Sequence, residues 1–239
     1  MRSLCGPTRS FVAALWSLSL CLAVEEASAF PPYRSTDADT TEEGSLELRV
    51  GLVRVEHEDD KSAYSSPLLR ANLGVTKNVE MVSEFEYSAD RGRFSDGAAG
   101  LKWVPLRGSS SFGVETLVLL PVSSDQNGSG VESQLVATFG RADIQLHLNA
   151  GGFYDARPSD DEAGWRASAL SELQWGRFRP GLELFAKQVH SERVEVQAGA
   201  GFIVDVGPFD LRAGVHAGLT SEAPDIAASL WVTWKWSLW

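Results

Sequence analysis

The chain has 239 residues, of which 44% are hydrophobic, and a formal net charge of −11 at pH 7. That acid excess argues against nucleic acid as a partner, and no stretch beyond residue 29 has the roughly 20 consecutive apolar residues that a membrane helix needs. The two cysteines, Cys5 and Cys21, both precede residue 30, so the remainder can form neither a disulfide nor a thiolate metal site.

At the start, Arg2 and Arg9 lead into an apolar run from Phe11 to Val24, and Ala27-Ser28-Ala29 precedes Phe30. This is the layout of a secretory signal, with cleavage expected after Ala29. The run holds 14 residues, too few for a retained helical anchor. A lipid-modified Cys21 is disfavoured because Leu20 stands where a lipoprotein signal needs a small residue. With helices excluded, a membrane protein of this sequence must be a β-barrel. Residues 30–43, rich in Pro, Thr, Asp and Glu and without a period, are expected to be a flexible periplasmic segment, folding into the pore being the alternative.

From Gly44 a two-residue period begins. Leu46, Leu48, Val50 and Leu52 share one face and Glu47 and Arg49 the other, with a slip near Val53 that suggests a bulge. A polar stretch, 56–63, separates this strand from one carrying Leu69, Ala71, Leu73 and Val75 opposite Arg70 and Asn72. Lys77-Asn78 then turns directly into Val79, Met81, Phe85 and Tyr87, opposed by Glu80, Glu84 and Glu86, a tight hairpin signal. Further strands are expected near 98–104, 112–120, 131–139, 142–153, 165–175, 182–189, 194–206 and 211–219. The last, Ile226 to Trp239, alternates Ile226, Ala228, Leu230, Val232, Trp234 and Trp236 with more polar residues.

The count is about twelve, even as bacterial single-chain barrels require, and the connections alternate between short and long. The fold class expected is therefore all-β: an antiparallel up-and-down outer-membrane barrel over 44–239, in one domain. If the apolar parity faces lipid, the polar parity lines the lumen. Its lining is then Glu47, Arg49, Arg70, Glu80, Glu84 and Glu86 from the first three strands, and Lys102, Glu115 and Glu132 from the next three. The later strands add Gln145, His147, Arg166, Glu172, Lys187, Arg212 and His216, with Gln134, Asp143, Asn149, Gln174, Glu183, Glu195 and Lys235 on the same parity. Trp103, Trp165, Trp175, Trp234, Trp236 and Trp239 are the expected aromatic girdles, with Trp165 and Trp175 marking both girdles on a single strand.

Thr36-Asp37-Ala38-Asp39 before Gly44 and Leu46-Glu47-Leu48, then Ser65-Ser66-Pro67 and the turn into Val79-Glu80, resembles the outer-membrane transporters grouped with the phenol-degradation (meta-cleavage pathway) family. The likeness runs in layout from about Pro31 to Trp239. It implies a barrel that passes small compounds, aromatic ones among them, and carries no catalytic residues. The chain departs from the usual terminal signal in that Lys235 and Ser237 occupy alternating positions where apolar residues are usual.

A lipid hydrolase would need a Ser/His pair on the lipid face. His147 and His216 fall on the inward parity, and His57 and His190 lie in or beside loops. No enzyme activity, cofactor or metal is expected; Asp160, Asp161 and Glu162 read as a solvated acidic loop. Two readings of the lumen stay open, a hydrophilic pore in which Glu80, Glu84 and Glu86 favour cations, and a closed structural or adhesive barrel held by ion pairs; a soluble periplasmic β-protein is a third reading of the whole chain. The expected partners are outer-membrane lipid and lipopolysaccharide, the barrel-assembly machinery during biogenesis, and a small-molecule substrate, with no nucleic acid.

Overall fold

The computed structural model describes residues 31–58, 61–141 and 143–239. The expected leader and cleavage site, with Cys5 and Cys21, lie outside the described residues.

The described residues form twelve strands and no helix: β1 (Ser45–Glu58), β2 (Lys61–Thr76), β3 (Val79–Ser88), β4 (Arg93–Leu106), β5 (Ser110–Leu119), β6 (Gly130–Arg141), β7 (Ile144–Asp155), β8 (Glu162–Leu173), β9 (Phe178–Val189), β10 (Glu195–Val206), β11 (Phe209–Gly218) and β12 (Ile226–Ser237). Each is antiparallel to its chain neighbours, and β1 closes on β12 from Ser45↔Ser237 to His57↔Ile226. Closure leaves no unpaired edge, which a sheet surrounded by hydrocarbon could not hydrogen-bond otherwise.

The distribution of side chains inverts that of a soluble protein. Large apolar residues such as Met81, Leu101, Leu135, Leu182 and Leu184 are exposed on the outer surface, while the largest fully buried side chains include Arg49, Arg212, Lys102, His147, Glu80 and Glu172. Charged residues are almost never fully buried in water-soluble folds unless paired. An outer surface of this kind belongs in lipid.

The turns at one end have two to four residues (77–78, 107–109, 174–177 and 207–208 among the described residues), and the longest connections, 120–129, 156–161, 190–194 and 219–225, are at the other. The short-turn end is the periplasmic one in barrels of this type, and the loop end faces outward. The slip near Val53 is a register shift between Gly51 and Val53. Some strands run further than their sequence pattern indicates. β1 and β2 extend through most of the polar stretch 56–63, because cross-strand pairs such as Glu56↔Ala63 and His57↔Ser62 continue the ladder whatever the side-chain polarity. Likewise, β8 stops at Leu173, so Trp165 and Trp175 are not on one strand: Trp175 lies in the following turn, where it exchanges backbone hydrogen bonds with Phe178. Asp143 and Gln174 also fall in short turns, not in the lumen; Asp143 is exposed, and Gln174 Nε2 donates to the Gly176 carbonyl at 3.2 Å.

The largest difference concerns the N-terminal segment. Most of residues 31–43 lies inside the barrel instead of forming a flexible periplasmic tail: Tyr33, Ser35, Thr36, Asp37 and Ala38 are each at most 5% exposed, and only Glu42 and Glu43, where the segment joins β1, are exposed. Sequence composition alone resembles that of a disordered tail, but Arg34, Ser35, Thr36, Asp37, Ala38 and Thr41 each meet a complementary group on the wall.

Candidate functional site

The site is the lumen, and the N-terminal segment divides it. The chain enters beside β1, where the Gly44 N–H donates to the Gly74 carbonyl at 2.9 Å. The Thr41 N–H donates to Glu80 Oε2 at 2.5 Å, and Asn72 Nδ2 to Glu80 Oε1 at 2.8 Å. Ala38 N–H donates to Thr138 Oγ1, and Asn149 both accepts from the Thr36 N–H and donates to the Thr36 carbonyl. Asp37 forms an ion pair of 2.8 Å with Lys102, the two side chains being 0% and 1% exposed. Further in, the Ser35 N–H donates to Glu183 Oε1 at 2.5 Å, and Glu183 Oε2 pairs with His216 Nε2 at 2.7 Å. Arg34 reaches up to Glu56 at 2.8 Å.

The far end of the segment fits a notch made by glycines. Gly181, Gly201 and Gly214 are register partners across β9, β10 and β11. A Cβ at Gly214 would stand 2.7 Å from Pro32 Cβ, and one at Gly181 would stand 2.5 Å from Tyr33 Oη. Glycine within a strand marks close approach of another chain segment, as here. The Tyr33 ring packs on Leu170 and Ile203. Burial, reinforced by Glu172 and Glu183, raises the Tyr33 phenol above its usual pKa, so it stays neutral.

Below and beside the segment, the periplasmic half is filled by buried charge. Glu47 bonds Arg49, Arg212 bonds Asp210 at 3.0 Å, and His147 bridges Glu172 at 3.1 Å and Thr138 at 2.9 Å. Such pairs offset the cost of burial without adding much stability.

The loop half is open. A cavity of about 250 Å³ lies against the segment, lined by Thr36, Arg70, Glu84, Glu115, Leu117 and Arg166 among others. A second, of about 680 Å³, shares Arg34, Arg54, Glu86 and Asp96 with it and forms the outer mouth. Arg157, from the loop between β7 and β8, spans this mouth, donating to Asp155 and Asp96 and to the Gly97 carbonyl. Burial works against its charge, but the hydrogen bonds to Asp155 and Asp96 outweigh it and raise the Arg157 pKa further.

Of the residues singled out from the sequence, Glu47, Arg49, Arg70, Glu80, Lys102, Glu115, His147, Glu172, Arg212 and His216 are buried inside the barrel. Glu84, Glu86, Glu132, Gln145, Arg166 and Lys187 face the same way and are half-buried. The structure separates the three glutamates of β3: Glu80 holds the segment, whereas Glu84 and Glu86 line the outer cavity. Trp103, Trp234, Trp236 and Trp239 are exposed with Trp175 near the short-turn end, and Trp165 near the loop end; Trp234 and Trp236 stack at 6.2 Å. His57 is the last residue but one of β1, on the parity opposite the inward Arg54 and Glu56, with Nδ1 3.0 Å from Ser62 Oγ. This exposed pair lies outside both cavities.

The sequence reading missed Arg34, Ser35 and Asp37 as lumen residues, together with Arg54, Glu56, Asp96 and Arg157. Arg54 and Glu56 were accessible to it, since the bulge restores them to the inward parity. Asp96 shares the parity of Lys102, two residues before the expected start of its strand, and nothing local marks the others.

No protein-family model and no curated protein sequence matches the chain. Among solved structures it is similar to the NanC porin, with a TM-score of 0.62 and 10% identity over 79% of this chain and 98% of that one. The KdgM porin gives 0.58 and 12% identity over 80% and 98%. An outer membrane channel from Pseudomonas putida F1 gives 0.62 and 10% identity over 84% and 98%. The chain thus has the closed, twelve-stranded fold of outer-membrane porins and channels.

Proposed function

We propose that the protein is an outer-membrane channel for small solutes whose passage is shut, in this conformation, by its own N-terminal segment. The observation that carries this reading is the asymmetry of the lumen. The outer half keeps charged, water-accessible cavities of about 250 and 680 Å³, and the inner half is sealed partly by the N-terminal segment. A barrel serving only as a wall has no use for a hydrated vestibule. The porin and channel folds support the same reading, and the resemblance to phenol-degradation transporters favours small organic compounds as the solutes. The channel acts by passive diffusion and carries out no chemistry.

One observation favours a closed structural barrel instead: the fully buried pairs around Arg49, Arg212 and His147 fill part of the inner half independently of the segment. Planar-bilayer conductance separates the two. The full chain is compared with a variant in which residues 31–40 are replaced by Gly and Ser. The channel reading expects rare, brief openings for the first and sustained conductance for the second. A substituted barrel that inserts, shifts in gel mobility on boiling and still conducts nothing would establish the structural role.

A further inference from the structure

The vestibule carries more carboxylates than guanidiniums, and the surplus is localised. Arg34 pairs with Glu56, Arg54 with Glu86, and Arg166 with Glu132, one to one. Arg70, in contrast, is shared between Glu84 and Glu115, and Arg157 between Asp96 and Asp155. Of the inward lysines, Lys102 is held by Asp37, and Lys187 lies over the Phe153 ring at 5.3 Å. Within the shared sets, Glu84 and Asp96 keep the greatest solvent access, with side-chain exposures of 37% and 55%, against 2% for Glu115 and 13% for Asp155. The two are diagonal neighbours on the inner face, since Glu84 pairs with Ala98 and Glu86 with Asp96. Diagonal neighbours of this kind lie about 7–8 Å apart along the backbone, close enough for one small cation to sit between their carboxylates.

The wall next to this acidic pair is apolar. Ala98 follows Asp96 on the inner face of β4 and packs with Val82, Leu117 and Leu119. Ala98, Leu117 and Leu119 line the same cavity as Glu84 and Asp96. This patch faces the cavity, whereas the inward Leu170 and Ile203 pack on Tyr33 of the segment and Val104 and Val136 pack on Ala38. On the segment side of the cavity, Thr36 Oγ1 is buried without a hydrogen-bond partner among the described residues, and Thr36 lines the cavity. A buried hydroxyl ordinarily has a partner, and this one marks a position where a ligand's polar group can be met.

We infer that the vestibule is a binding site for a small organic cation with an apolar body, its ammonium between Glu84 and Asp96 and its body against Ala98, Leu117 and Leu119. The inference rests on the channel reading above and names the class of solute the outer half selects. The acid surplus draws cations to the mouth, and the apolar wall distinguishes an organic ammonium from an inorganic ion or a bare methylammonium.

Isothermal titration calorimetry on the full-length barrel in detergent micelles tests the site without requiring passage. The probes are cyclohexylammonium, methylammonium and cyclohexanecarboxylate, with protein-free micelles subtracted. Saturable binding of cyclohexylammonium is expected, tighter than either other probe by about tenfold or more, as charge complementarity and burial of the ring act together. Asp96→Asn is expected to remove most of the preference for the ammonium over the carboxylate, and Leu117→Ser most of the preference for cyclohexylammonium over methylammonium. Asp96 is more than half exposed, so its substitution leaves the barrel able to fold even if Glu84→Gln, which alters the partner of buried Arg70, does not. Equal binding of cyclohexanecarboxylate, an unchanged Asp96→Asn variant, or heat accounted for by micelles alone would overturn the proposal. Conductance is read separately: binding with a silent segment-substituted barrel sinks the channel reading alone, and conductance without binding sinks the vestibule site alone.

Discussion

Asp37→Ala removes a carboxylate through which the N-terminal segment holds Lys102. The pair is 2.8 Å long, with its side chains 0% and 1% exposed, so neither charge is hydrated while the segment is docked. Removing one member of a buried pair typically costs about 3–5 kcal/mol, because the remaining charge is stranded. Here the lower part of the range or slightly less is appropriate, about 2–3 kcal/mol, since Glu80 and Glu115 also act on Lys102. All of that penalty falls on the docked state, because withdrawal of the segment admits water to the ammonium. The ratio of open to closed time should therefore rise roughly 30- to 150-fold. Single-channel recording in planar bilayers measures it directly, and protease access to residues 31–43 provides a second readout. Asp37→Leu combined with Lys102→Met, which replaces the pair by apolar groups, should return the ratio toward that of the original protein. An Asp37→Ala channel whose open-to-closed ratio stays within twofold of the original would refute the claim that this contact holds the segment in place.

Three other outcomes follow from the same geometry. Gly214→Val should displace Pro32, since a Cβ there would already stand 2.7 Å from Pro32 Cβ; the expected result is increased protease cleavage of the segment with unchanged gel mobility of the barrel. Glu80→Gln should lengthen openings because Glu80 anchors the Thr41 N–H, whereas Glu86→Gln should weaken cation preference, read as reversal potential, without changing open time. Leu135→Arg should lower the yield of folded barrel in bilayers, because Leu135 is 69% exposed on the outer face between Val114 and Ala150, and a lipid-facing arginine at mid-bilayer costs roughly 2–4 kcal/mol.

The barrel wall was legible in the sequence because its determinant is local. Successive side chains on a strand point to opposite faces, so Leu46, Leu48 and Val50 against Glu47 and Arg49 are enough to separate lipid from lumen, and Lys77-Asn78 is enough to fix a hairpin. Strand ends were less legible where the hydrogen-bond ladder ran on beneath polar residues, as at His57↔Ser62, since backbone pairing does not depend on what the side chains are. The inward face of Glu80, Glu84 and Glu86 was likewise available from parity, but their different roles were not. Only the closed barrel brings Thr41 to Glu80 and leaves Glu84 and Asp96 sharing their guanidiniums with a second carboxylate. The segment 31–43 is the clearest case. Its composition is that of a solvated tail, and its order comes from Lys102, Thr138, Asn149 and Glu183, residues on four strands that lie 65 to 149 positions along the chain from their partners. A short polar stretch with no period carries no record of such partners, because hydrogen bonds and ion pairs across a lumen are set by where closure places the opposite wall.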